Sequence, residues 1–137
     1  MRILAVDPGT RRVGLALSDP TETIASPLGT EPAEPAESLP ERLAKAAAEH
    51  EVGRIVVGLP RELSGKRGPA AVAAERLAAE LRKASGLPVH MLDERLTSAA
   101  AERMLIEAGM RRDKRRKTVD SVAAALLLQT YLERTAP

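Results

Sequence analysis

The chain contains no cysteine, no tryptophan and no phenylalanine, and Tyr131 is its single tyrosine. Without cysteine, disulfides, thiol nucleophiles and Cys-based zinc sites are excluded, which fits a reducing, cytoplasmic setting. With almost no aromatic rings, the stacking platforms that readers of single-stranded bases rely on are missing. A nucleic acid bound here must therefore be held by its backbone and shape. The two histidines, His50 and His90, are too few and too isolated for a zinc site. No G-x-S-x-G occurs, so acyl-transfer serine chemistry has no support. Long apolar runs are lacking as well. Val122 to Leu128 falls far short of the ~20 residues of a membrane span, and the early Asp7 leaves no room for a secretory signal.

At 137 residues the sequence is read as one domain, 1–137, long enough to bury roughly two thirds of its unfolded surface. The net charge of +2 is modest, but it is unevenly spread. Glu31, Glu34, Glu37 and Glu41 make one stretch acidic, whereas Arg111 to Lys117 packs six cations into seven positions. Such a block is either a solvated turn or a contact for a polyanion.

Hydrophobic patterning predicts a strand over 2–7 buried on both faces. A second strand follows over 12–18, with Val13, Leu15 and Leu17 on one face and Gly14, Ala16 and Ser18 on the other. The short turn between them makes an antiparallel hairpin. A third strand over 24–30 contains Pro27 and belongs at an edge. Ser38-Leu-Pro-Glu41 has the capping-box spacing and opens a helix with Leu39, Leu43 and Ala46/Ala47 inward. Gly53 resets the chain for a strand over 54–59, and a loop over 60–69 precedes a helix with Ala70, Ala73, Ala74, Leu77, Ala78 and Leu81 on its apolar face. Gly86 ends that helix. Residues 89–94 form the last strand, Thr97 or Ser98 caps a helix ending at Gly109, and Thr118 caps a final helix to about Arg134. Strands first, then βα alternation, predict an α/β fold: a mixed five-stranded sheet, antiparallel first and parallel later, with helices on both faces.

Two phosphate-binding signatures fail on counting. Gly58 and Gly65 are too far apart for a P-loop, and Lys66 is followed by Arg67 rather than Ser or Thr; Gly9 and Gly14 do not complete G-x-G-x-x-G. Three acidic positions remain. Asp7 ends the first strand, where it either starts a turn or faces a site. Asp93-Glu94 ends the last strand, and alternation directs only one of the two towards Asp7 while the other pairs with Arg95. Asp120 lies in the first turn of the last helix, where the dipole favours an acid in any protein; the stripe Asp120, Ala124, Leu127 and Tyr131 nevertheless aims it back at the sheet. Sites in such sheets form at strand C-terminal ends. Carboxylates gathered there repel one another unless neutralised, and an all-oxygen ligand set suits Mg²⁺ or Mn²⁺. Two such ions ~4 Å apart activate water and stabilise the leaving oxygen of a phosphodiester.

The segments Ala5-Val-Asp-Pro-Gly-Thr-Arg-Arg-Val-Gly-Leu-Ala16, Val56-Val-Gly-Leu-Pro60, Asp93-Glu-Arg-Leu-Thr97 and Asp120-Ser-Val-Ala-Ala-Ala-Leu-Leu-Leu-Gln129 resemble the YqgF/RuvX family. The resemblance runs nearly the whole length. It implies a ribonuclease H-like, metal-dependent nuclease acting in 5′-end processing of pre-16S rRNA, in Holliday junction resolution, or in both. By position it implies Asp7, Asp93-Glu94 and Asp120 as catalytic acids, with Asp7, Glu94 and Asp120 as metal ligands and Glu94 favoured over Asp93. Thr10, Arg11, Arg12, Lys66, Arg95, Arg115, Arg116 and Lys117 are then expected to hold nucleic acid. Junction resolution implies a homodimer, because two strands are cut symmetrically; rRNA processing does not. Two rivals stand beside this reading. An actin/Hsp70-like nucleotide hydrolase shares an Asp-Pro-Gly-Thr-type turn but needs two such domains. A non-catalytic RNA-binding ribosome-assembly factor could use the same fold.

Overall fold

The computed structural model describes residues 1–60, 68–97, 99–107 and 119–135. The elements run β1 (Arg2–Asp7), β2 (Arg12–Ser18), β3 (Ala25–Pro32), α1 (Leu39–Glu49), β4 (Val52–Leu59), α2 (Pro69–Ser85), β5 (Val89–Asp93), α3 (Ala99–Glu107) and α4 (Val119–Thr135). The sheet order is β3-β2-β1-β4-β5. β2 is antiparallel to both β1 and β3, whereas β1–β4 and β4–β5 are parallel. This is the mixed α/β sheet that the strand order and alternation predict. β3, interrupted by Pro27, takes an edge, where a missing amide donor costs no ladder bond.

β1 lies in the middle of the sheet, and its side chains feed two separate cores. Leu4 and Val6 join Val13, Leu15, Ile55 and Val57 beneath α1 and α2. Ile3 and Ala5 join Ala16, Val56 and Leu92 beneath α3 and α4. Each fully buried aliphatic side chain contributes ~1.5–3 kcal/mol, so the alternation fixes the register of the central strands. It also fixes the direction of the next residue. Asp7 continues the Ile3–Ala5 side and faces α4.

Several local expectations are corrected. Ser38 does not cap α1: its hydroxyl donates to the Pro35 carbonyl at 3.2 Å and accepts from Arg42 Nε at 3.0 Å, because a short 3₁₀ turn over Ala36–Ser38 leads into the helix. β4 starts at Val52, so Gly53 lies within the strand. β5 ends at Asp93, and Glu94 opens a 3₁₀ turn. α2 buries Ala71, Ala74, Leu77, Ala78 and Leu81, leaving Ala70 and Ala73 exposed. In α4 the stripe through Ala124, Leu127 and Tyr131 is buried, while Val122 and Leu126 are only half-buried and Ala123 is exposed. The expected caps Ser98 and Thr118 lie outside the described residues, as does Gly109.

α4 is tied to the edge of the sheet by a buried amide. Gln129, 1% exposed, accepts a hydrogen bond from the Ala25 backbone N–H at 2.9 Å and donates to the Thr23 carbonyl at 3.2 Å. Gln129→Leu keeps the volume but strands a buried donor and a carbonyl. We expect a loss of ~2–3 kcal/mol, read as a lower denaturation midpoint in urea with an unchanged slope.

Candidate active site

Asp7 ends β1 between two glycines. Across the antiparallel ladder its partner is Gly14 of β2. On the other side, one step beyond the Val6–Val57 pair, lies Gly58 of β4. Neither glycine has a side chain to stand between Asp7 and the elements packed on that face, and each vacated space is taken by a different segment. The first turn of α4 rests on Gly14: a Cβ built there would run into the Asp120 carbonyl group and lie 3.2 Å from the Ser121 nitrogen. The Glu94 carboxylate rests on Gly58, with Oε1 2.7 Å from where a Cβ would be.

The electrostatics register this convergence. The Asp7 carboxyl is pushed up to about 8 by burial, by a side-chain hydrogen bond with Glu94, and by the negative charges of Glu94 and Asp120. Asp7 therefore keeps its proton at neutral pH unless a positive charge takes the proton's place. Asp120 is bridged by Arg12, whose Nε lies 3.2 Å from Oδ2, both side chains being well exposed. Among the described residues no three His, Cys, Asp or Glu side chains are set as a ready coordination cage. Asp7 and Glu94 bond to each other, and Asp120 bonds to Arg12. The donor set nonetheless fits a hard divalent cation: it is all oxygen, mutually repelling and half-buried.

Asp93 and Glu94 diverge, Asp93 ending the strand and Glu94 opening the 3₁₀ turn. Asp93 accepts from the Arg95 backbone N–H at 2.9 Å and from the Arg95 guanidinium at 2.8 Å, which closes the 3₁₀ turn over Glu94–Leu96. Its charge is thus directed at Arg95, and it is Glu94 that meets Asp7. Thr10 and Arg11 are exposed in the turn after β1, and Arg12 begins β2 beside Asp120. Lys66, Arg115, Arg116 and Lys117 lie outside the described residues.

Sequence reasoning missed the two glycines, which were tested only against nucleotide-binding spacings. The available signal was simpler, since an isolated glycine within a strand marks a close approach by another segment. It also missed the Arg12–Asp120 pair, which joins residues from opposite ends of the chain.

Residues 1–134 match the family described as RuvX, Holliday junction resolvase. A protein from Roseiflexus sp. (strain RS-1) is 42% identical over 132 residues, covering 96% of this chain and 94% of its own. One from Geobacillus kaustophilus (strain HTA426) is 46% identical over 135 residues, covering 97% and 98%. Both carry the provisional name pre-16S rRNA nuclease. Among solved structures, Thermus thermophilus RuvC in complex with a Holliday junction substrate superposes with a TM-score of 0.65 at 17% identity, covering 99% of this chain and 96% of that one. This last likeness places the chain in the ribonuclease H-like fold.

Proposed function

The chain belongs to the RuvX family and is a nuclease of ribonuclease H-like fold, and from that premise we propose that Asp7, Glu94 and Asp120 hold Mg²⁺ or Mn²⁺ and that its substrate is structured precursor rRNA. The observation that carries the proposal is that the Glu94 carboxylate and the main chain of Asp120 occupy the two glycine-cleared spaces beside Asp7, whose carboxyl feels the charge of both acids. A bound divalent ion supplies charge neutralisation at the phosphodiester and makes water nucleophilic at neutral pH. The protein's own groups do the rest. Asp7 and Glu94, which share a hydrogen bond here, would both face the cation as carboxylates, with Asp7 giving up its proton. Arg12, now paired with Asp120, would then be free to hold a substrate phosphate alongside Thr10 and Arg11. Asp93 and Arg95 hold the turn that presents Glu94.

Precursor rRNA is favoured because the relatives carrying that name match at 42–46% identity over almost the whole chain. The family description favours a second substrate, the four-way DNA junction. No helix among the described residues is long and apolar enough to cross a membrane; we assign the enzyme to the cytoplasm, where precursor rRNA is found. The test is cleavage of a precursor rRNA and of a four-way junction in parallel, with Mn²⁺ or with EDTA, and with the mass in solution measured for each complex. We expect EDTA-sensitive cleavage of the RNA. Symmetric junction cutting by a dimer would reverse the substrate assignment. Tight RNA binding with no cleavage would instead support the non-catalytic assembly factor.

The basic block supplies a separate prediction. Neutralising Arg115, Arg116 and Lys117 together should lower the slope of log affinity against log salt by about 2, as expected for the loss of three phosphate contacts. An unchanged slope would reduce the block to a solvated turn.

A further inference from the structure

We infer that Gly58 is a positioning residue of this site: its missing side chain is the berth in which the Glu94 carboxylate lies against Asp7. The inference rests on the three-acid reading above and deepens it. Glu94 belongs to the turn after β5, and Asp7 belongs to β1, so the Glu94 side chain must cross β4 to reach its partner. Two strand spacings are about 10 Å, which only a long side chain on a cleared path can bridge. Position 58 is where that path meets β4. A Cβ there would stand 2.7 Å from Glu94 Oε1, 3.3 Å from Glu94 Cδ and 3.0 Å from Leu127 Cδ2.

Backbone conformation gives no reason for a glycine at 58. Among the described residues the positive-φ glycines are Gly29 and Gly86, so β4 would accept an L-residue at 58 without strain. Space is the requirement, and the atom that would have to leave is the tip of a flexible side chain. The fold can tolerate that displacement, with Leu127 giving by a few tenths of an ångström; the carboxylate's placement cannot. Gly58→Ala should therefore separate function from stability, sending Glu94 away from Asp7 while the two cores stay intact.

The experiment measures Mn²⁺ affinity by calorimetry, together with the melting temperature, for the wild type, Gly58→Ala, Glu94→Ala, the Gly58→Ala/Glu94→Ala double variant and Gly58→Asp/Glu94→Ala. We expect Gly58→Ala to weaken Mn²⁺ binding by about tenfold or more with the melting temperature nearly unchanged. Added to Glu94→Ala, it should cost nothing further, because it acts only through Glu94. Gly58→Asp/Glu94→Ala should regain much of the affinity lost in Glu94→Ala, since a carboxylate grown from position 58 fills the same berth. Wild-type affinity in Gly58→Ala would overturn the inference, as would an equal loss in the presence and absence of Glu94. If Glu94→Ala itself binds Mn²⁺ like the wild type, the three-acid reading falls and the inference falls with it. If Gly58→Ala proves poorly folded, Gly58→Asp/Glu94→Ala decides, and failure to recover binding overturns the inference.

Discussion

Asp7→Asn should abolish cleavage and, at the same time, yield a more stable protein. The two effects share one cause. Asp7 lies beside both Glu94 and Asp120, so it would be the central ligand of a bound cation, and removing its charge should reduce metal-dependent cleavage below detection. In the absence of metal, the same crowding makes Asp7 costly. Its carboxyl is pushed up to about 8 in the folded protein, from an ordinary value of 3.8. The folded state thus binds this proton more tightly than the unfolded chain does. The contribution of Asp7 to stability is therefore fully present below pH ~4 and is lost as the pH rises towards 8. Asparagine carries no proton to lose, and its amide can still donate to Glu94. The gap in unfolding free energy between Asp7→Asn and wild type should widen from pH 5 to pH 8, reaching ~3 kcal/mol. Mg²⁺ should stabilise the wild type and leave the variant unmoved. Urea unfolding at the two pH values, with and without Mg²⁺, checks all of this. A variant that is less stable than wild type throughout, or that still cleaves, would refute the arrangement.

Gly14→Ala should be the most damaging single methyl group that can be added near the site. Unlike the space at Gly58, which is closed by a side-chain tip, the space at Gly14 is closed by main-chain atoms of Asp120 and Ser121. Those atoms cannot swing aside, because α4 is locked by buried Ala124, Leu127, Leu128 and Tyr131. The helix must lift off the sheet or the strand must bend, at ~3–5 kcal/mol, which for a domain of this size is a fall of about 10 °C or more in melting temperature. Asp120 would move with the helix, so cleavage should be lost even at temperatures where the variant is folded. A thermal scan alongside a cleavage assay suffices. Wild-type melting and activity would mean that the α4–β2 contact is not close.

What the sequence made legible follows physical lines. Strand alternation was decisive in β2, where Val13 and Leu15 on one side and Ala16 on the other enter separate cores, as the period of two requires. The helices were harder for opposite reasons. In α2, alanines stand at 70, 71, 73, 74, 78 and 79, so nearly any rotation presents a small apolar face. Only Leu77 and Leu81 set the phase, and the first turn buries Ala71 rather than Ala70. In α4, apolar residues occupy almost every side between Val122 and Leu128, so periodicity said little. The stripe beginning at Asp120 runs inward through buried Ala124, Leu127 and Tyr131, whereas Val122 and Leu126 are only half-buried. At the site, the acids were visible as residue types at element ends. What allows them to meet was not, because a glycine's role here is a space, and the atoms that fill it come from distant parts of the chain. The Ser38 capping box failed for a related reason. The motif was present, but the preceding 3₁₀ turn had already committed the serine hydroxyl to Pro35 and Arg42.

The three acids come from the first strand, the turn after the last strand, and the last helix. During translation Asp7 emerges early and waits without partners, while Asp120 arrives only after most of the sheet has been made. An unfinished polypeptide therefore lacks the third acid of the proposed centre, which would be complete only when α4 settles onto Gly14. For a nuclease whose centre is built this way, the order of synthesis is itself a safety catch.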